Sequence, residues 1–140
     1  MVHFTGVTAL DRTFTSSSIL KLFCPPNLIR TTTIYPFELG AAYSRINVFS
    51  PYSFNNFGAA NQFRYRSGNF ICLNPHPEPT TDYAVNAYAS GVVLYVPDDS
   101  ISHYKEELQW KHFSNIKGIS TLPSDLAEEL EWYKQFCDTD

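Results

Sequence analysis

The stretch Gln62–Asn74, QFRYRSGNFICLN, constrains the fold more than any other part of the chain. It reads as two short strands joined at Ser67-Gly68. Side chains alternate across a strand, so a two-residue loop sets Arg66 opposite Asn69, Tyr65 opposite Phe70 and Phe63 opposite Cys72. One face then collects Phe63, Tyr65, Phe70 and Cys72, a set suited to cross-strand packing. The other carries Arg64, Arg66, Asn69, Ile71 and Leu73. Ser-Gly is a weaker turn signal than Asn-Gly, so a longer, bulged loop stays open. Either loop predicts a local antiparallel pair.

Further strands are expected over Val2–Leu10, bent at Gly6, over Leu28–Tyr35 and over Ala42–Phe49. Cys24-Pro25-Pro26-Asn27 stops whatever precedes it, and 75–79 (PHPEP) reads as an extended proline segment. Val92–Val96, VVLYV, is a continuous apolar run, the pattern of a central strand buried on both faces. From Pro97 the character changes. A helix is expected over Asp98–Phe113, with Ile101, Tyr104, Leu108 and His112 on one stripe and Trp110 off it. Ser124 caps a second helix, Asp125–Cys137, whose apolar face is Leu126, Leu130, Tyr133 and Cys137, with Trp132 off that face. No internal repeat, low-complexity tract or linker is evident. The expected architecture is one α+β domain over residues 1–140. It has a mainly antiparallel β-sheet body (1–97) and an acidic segment (98–140) with one or two C-terminal helices.

Composition narrows the class. Charged residues are only 17% and hydrophobic ones 44%, a balance that argues against disorder. Aromatics reach 16%, favouring strands and large cross-strand contacts. Residues 1–97 hold six basic residues against four acidic, a net +2, whereas 98–140 hold ten acidic against four Lys, a net −6. No apolar run approaches the roughly 20 residues of a membrane span, and the start, MVHFTGVTAL, lacks the pattern of a signal peptide. Cys24, Cys72 and Cys137 read as buried thiols in a reducing compartment, and no Asn-x-Ser/Thr sequon occurs. An intracellular setting follows as the expectation: cytoplasmic, or host cytoplasm for a viral or phage protein.

Residue patterns that carry chemistry are sparse in the chain. Arg64, Tyr65, Arg66 and Phe70 interleave charge with rings, as nucleic-acid stacking strands do. Against this, 66–73 matches the RNA-recognition strand only at its Arg, Phe and Ile positions, and the acidic balance disfavours a polyanion. His3, His76, His103 and His112 are scattered with no metal-ligand spacing, and His103–Glu107 reads as a helix-surface pair. Cys72 and His76 are a nominal thiol–imidazole couple, but the hairpin register points Cys72 at the aromatic face, where a buried thiol is inert. No phosphate loop, nucleophile elbow or dinucleotide fingerprint is present, and no cofactor is implied.

His3-Phe4-Thr5 with Val7 and Leu10 resembles the first strand of some ADP-ribosyltransferases, which present a histidine to nicotinamide ribose. The resemblance covers residues 3–10, and no family membership is claimed on it. It implies Glu38 or Glu78 as the catalytic acid, with no residue marking either.

The leading expectation is a non-enzymatic protein that works through protein contacts, as an assembly subunit, inhibitor or adaptor. Its candidate contacts are Tyr52, Phe54 and Phe57 in the loop 51–57, the off-stripe Trp110 and Trp132, and the Arg64/Arg66 edge. The competing reading of those aromatics is a satellite core folded back on the body. Two other classes stay open: a small transferase or hydrolase with a cleft near His3, and a small-ligand module between the aromatic loop and Arg64 or Arg66.

Overall fold

The computed structural model of the chain describes residues 2–3, 9–10, 21–28, 30–31, 45–57, 67–77, 91–107 and 110–137. One sheet holds β1 (Val2–His3), β3 (Lys21–Phe23), β5 (Arg45–Ser50), β7 (Ser67–Cys72), β8 (Val92–Val96) and β9 (Ile116–Gly118), side by side in that order. A second holds β2 (Ala9–Leu10), β4 (Arg30–Thr31) and β6 (Asn56–Phe57). Two helices follow, α1 (Ile101–Glu106) and α2 (Ser124–Cys137).

Every strand pairing among the described residues is parallel. The expectation of a mainly antiparallel body is therefore overturned. Through β6 the chain alternates between the two sheets and lays each new strand beside its predecessor in the same sheet. That is the path of a solenoid, in which each coil buries its apolar face against the next. The register shows the repeat. Val2, Leu22, Val48, Phe70, Leu94 and Ile116 form one row across the large sheet, 20 to 26 residues apart along the chain. All six are apolar, although no repeat is evident in the sequence itself.

The hairpin expected at Gln62–Asn74 is also corrected. Ser67 and Gly68 lie inside β7, paired with Arg45 and Ile46 on one side, and Gly68 pairs with Val92 on the other. A two-residue loop joins only antiparallel neighbours, whereas a parallel neighbour needs a crossover. Residues 62–66 lie outside the described residues. Gly68 has φ 128°, a backbone conformation that favours glycine and that a side chain there would strain. Face assignment within β7 stands: Phe70 and Cys72 enter one core, Ile71 and Leu73 the other.

Other elements shift in detail. The stretch read as one strand, Val2–Leu10, contributes β1 and β2 to different sheets, and the loop 51–57 contributes β6. Val92–Val96 is the central buried strand the sequence predicts. The long helix expected over 98–113 is three pieces: a 3-10 turn at Asp98–Ser100, α1, and a 3-10 turn at Trp110–His112. Glu107 turns to extended backbone (φ −75°, ψ 145°), which ends the helical periodicity three residues before Trp110.

The large sheet carries a core on each face. On one face Val48, Phe70, Leu94 and Val96 pack with Phe54, Tyr104, Trp110 and Phe113. On the other, Phe23, Phe49, Ile71 and Tyr95 lie under Leu126, Leu130 and Tyr133 of α2. Each of those large side chains contributes about 1.5–3 kcal/mol by leaving water. The Tyr133 hydroxyl donates to the Cys24 carbonyl at 2.7 Å across 109 residues, tying the end of α2 to the corner after β3.

The strands end in equivalent corners. Pro25, Pro51, Leu73, Pro97 and Ile119 occupy one register position, two residues beyond Phe23, Phe49, Ile71, Tyr95 and Lys117. Proline cannot donate to the ladder, so it suits the point where a strand stops. The N–H groups of Leu28, Phe54, Ser100 and Leu122 donate to the carbonyls of Pro25, Pro51, Pro97 and Ile119 at 2.8–3.2 Å. In the coil of β7 the Asn74 side chain serves this turn. Its Oδ1 accepts from the His76 N–H at 2.9 Å and its Nδ2 donates to the Phe54 carbonyl of the previous coil at 2.9 Å. Asn74→Leu forfeits both bonds, one of them buried, at a cost of about 2–3 kcal/mol. The expected fall in melting temperature is roughly 6–12 °C by circular dichroism; a shift within error would contradict the stitching role.

Candidate functional site

The C-terminal helix defines the candidate site, because a groove runs along each of its flanks. The first groove, about 450 Å³, follows the corners of the coils: Tyr52, Leu73, Pro97, Asp98, Ile119 and Ser120 line it, with Leu130 and Lys134 from α2. The second, about 280 Å³, lies between β3 and the other flank of α2, lined by Phe23, Glu128, Glu129 and Trp132. Helical geometry explains the split. Leu130 and Lys134 are four apart and share a flank, Glu128 and Trp132 share another, and residues two apart point apart.

Polar groups are held at the rim of the first groove. Asp98 accepts the Ser120 N–H at 3.1 Å. Hydrogen bonds from the Ser120 side chain and backbone hold its carboxyl below the usual carboxylate range. Gly118 permits this, since a Cβ there would collide with the Asp98 carboxylate. Lys134 pairs with Glu131 at 3.7 Å. In the second groove the rings of Phe23 and Trp132 meet edge to face at 5.0 Å and 77°, and Trp132 meets Phe136 likewise at 4.9 Å.

The buried thiols and phenols belong to the scaffold. Cys72 Sγ lies 3.4 Å from the Tyr104 hydroxyl, which donates to the Asn74 carbonyl at 2.5 Å. Burial pushes the thiols of Cys72 and Cys24 upward, the latter helped by neighbouring thiols. His76 is exposed, its ring 5.4 Å from that of His103. Cys72 therefore meets a phenol and is kept protonated on the face it shares with Phe70, although the hairpin register from which the sequence placed it there does not form. His103 pairs with Glu107 at 3.6 Å, the helix-surface pair expected. Among the described residues no group of three His, Cys, Asp or Glu is arranged to hold a metal ion. No helix among them is long and apolar enough to cross a membrane.

Comparison with protein-family models, curated proteins and solved structures returns no match.

The seven candidate contact residues separate sharply. Tyr52 and Trp132 are 39% and 38% exposed, the large apolar side chains left at the surface among the described residues, and each lines a groove beside α2. Phe54 and Trp110 are core residues, Trp110 only 2% exposed. Phe54 is buried because the turn after Pro51 directs it inward onto Phe70, ring centroids 5.8 Å apart. Phe57 is in β6, and Arg64 and Arg66 lie outside the described residues. Glu38 and Glu78 lie outside them too, and His3 pairs in register with Phe23 on an edge strand. Sequence reading missed Phe23, Glu128, Glu129, Leu130 and Lys134 as groove residues. The available signal was α2 itself, whose two flanks follow from its apolar stripe.

Proposed function

We propose that the protein works through protein contacts, as an assembly subunit, inhibitor or adaptor, with α2 and its two flanking grooves as the contact face. The observation that carries this is the pairing of half-exposed Tyr52 and Trp132 with grooves on opposite flanks of one helix. Tyrosine and tryptophan are favoured anchors because each buries a large, rigid ring at small conformational cost while keeping a polar edge. Stacked coils supply an extended, rigid platform for such a face.

A photoreactive phenylalanine analogue placed at 52, at 132 and at 111 tests the reading in cells. Position 111 sits on the turn carrying Trp110, which packs on the opposite face of the sheet. Adducts are expected from 52 and 132 and not from 111. Light scattering then separates self-assembly from a foreign partner. Uniform adducts from all three positions, or none from 52 and 132, would sink the proposal.

A further inference from the structure

We infer that the groove along the coil corners receives an extended, apolar segment of a protein partner, with a basic residue of that segment on Asp98. The inference rests on the protein-contact reading and assigns the chemistry of the first of its two grooves. Four successive corners build this groove: Tyr52 after β5, Leu73 after β7, Pro97 and Asp98 after β8, and Ile119 and Ser120 after β9. Neighbouring strands lie about 4.8 Å apart, so three spacings give a length of about 14 Å, the reach of about four extended residues. Its floor is apolar, with Leu73 and Leu130 buried and Pro97 and Ile119 half-buried. Its two lining charges stand toward opposite ends. Asp98 lies at the corner of β8, bonded to Ser120 of the β9 corner. Lys134 follows Tyr133, whose ring packs on Phe23 of β3 and Phe49 of β5.

The Asp98 carboxylate is exposed yet fixed, since the Ser120 N–H donates to it at 3.1 Å and Gly118 leaves it room. A charge already held in place loses little freedom when a cation meets it. Lys134 is held loosely, 3.7 Å from the well-exposed Glu131, and an exposed pair of that kind is worth little. The groove is open along Tyr52, Asp98 and Ser120, all exposed, so an extended segment covers it better than a compact ligand, which needs enclosing walls. Three classes of segment differ in what they meet there. One that is acidic throughout brings like charge to Asp98. A wholly apolar one takes water from both charged ends without replacing it. A segment with an apolar centre, a basic residue toward Asp98 and an acidic one toward Lys134 matches the floor and both ends.

Acetylated, amidated peptides with a leucine–alanine–leucine centre and a glutamate at one end test this by calorimetry on the full chain. The other end carries lysine, norleucine or glutamate, and the two ends are spaced to match the groove. The lysine peptide is expected to bind, with the norleucine peptide about three- to fivefold weaker and the doubly acidic one at least about tenfold weaker. Asp98→Asn keeps an oxygen for the Ser120 N–H and removes the charge. It should bring the lysine peptide down to the norleucine level and leave the norleucine peptide unchanged, which also shows that the groove still folds. Lys134→Gln should weaken the lysine peptide by about twofold, and should not weaken a version whose glutamate is replaced by glutamine. Equal binding of the lysine and norleucine peptides, an equal effect of Asp98→Asn on both, or no binding at all overturns the inference. Self-association of the chain that Asp98→Asn abolishes in light scattering would assign the groove to a second copy and overturn it too. Crosslinking from position 52 would survive those failures if the contact face itself is real, and its loss would overturn the underlying reading instead.

Discussion

Trp110→Ala is expected to destabilise the fold by about 3–5 kcal/mol, a large share of the stability of a domain this size. Trp110 is the hub of one core: its ring meets Tyr104 edge-on at 4.9 Å and Phe54 at 6.0 Å, and stacks on Phe113 at 6.1 Å with 21° between planes. Its removal opens a cavity that β8 and β7 cannot close without breaking their ladder, because Phe70 and Leu94 line the same core from those strands. Thermal melts should show a fall of roughly 10–20 °C, or no cooperative transition at all. Trp132→Ala should cost less, about 1–2 kcal/mol, because Trp132 keeps 38% of its surface exposed and belongs to neither buried core, so its loss opens no closed cavity. Equal effects of the two substitutions would contradict the assignment of one tryptophan to the core and the other to the contact face.

Alkaline unfolding should set in early and steeply. Burial holds the Cys24 thiol and the phenols of Tyr104 and Tyr133 well above their ordinary values and the Cys72 thiol above its own, and neighbouring thiols add to the effect on Cys24 and both phenols. In the unfolded chain thiols release protons above about pH 8.5 and phenols above about pH 10, while the folded protein keeps them. The folded state then binds more protons than the unfolded one, so stability falls as pH rises. These groups cost nothing below their unfolded values. Each costs about 1.4 kcal/mol per pH unit above them. Denaturant melts should find stability flat from about pH 7 to 8, declining above about pH 9 and steeper once the phenols join. Cys72→Ala should flatten the first part of that decline, whatever it does to stability at neutral pH. A curve with no loss between about pH 8 and 11 would contradict the buried, protonated state of these groups.

Local periodicity was the part of the fold most legible in the chain. Leu126, Leu130 and Tyr133 recur at helical spacing and bury one side of α2, while the apolar run Val92–Val96 is buried on both faces as such a run requires. Both follow from side-chain direction within one element, which neighbouring residues alone control. The chain also carries a weaker signal. FCPPNL, FSPYSF and YVPDDS share an aromatic residue two before a proline, and the structure aligns those prolines at one corner of successive coils. The coil of β7 breaks the series with Leu73 and Asn74, and coils of unequal length leave no fixed period to detect.

The sequence by itself determined which residues turn inward within α2 and β7 and that charge concentrates after Pro97. Only the tertiary structure decided that strands pair in parallel, since alternation assigns a residue to a face and carries no information about the strand beside it. It also decided the fate of the two tryptophans. Both fall off the apolar stripe of the helix expected around them. Trp110 turns inward because the helix stops at Glu106, while α2 continues through Trp132 and leaves it beside a groove. Where a helix ends under tertiary contacts, its periodicity ceases to predict burial.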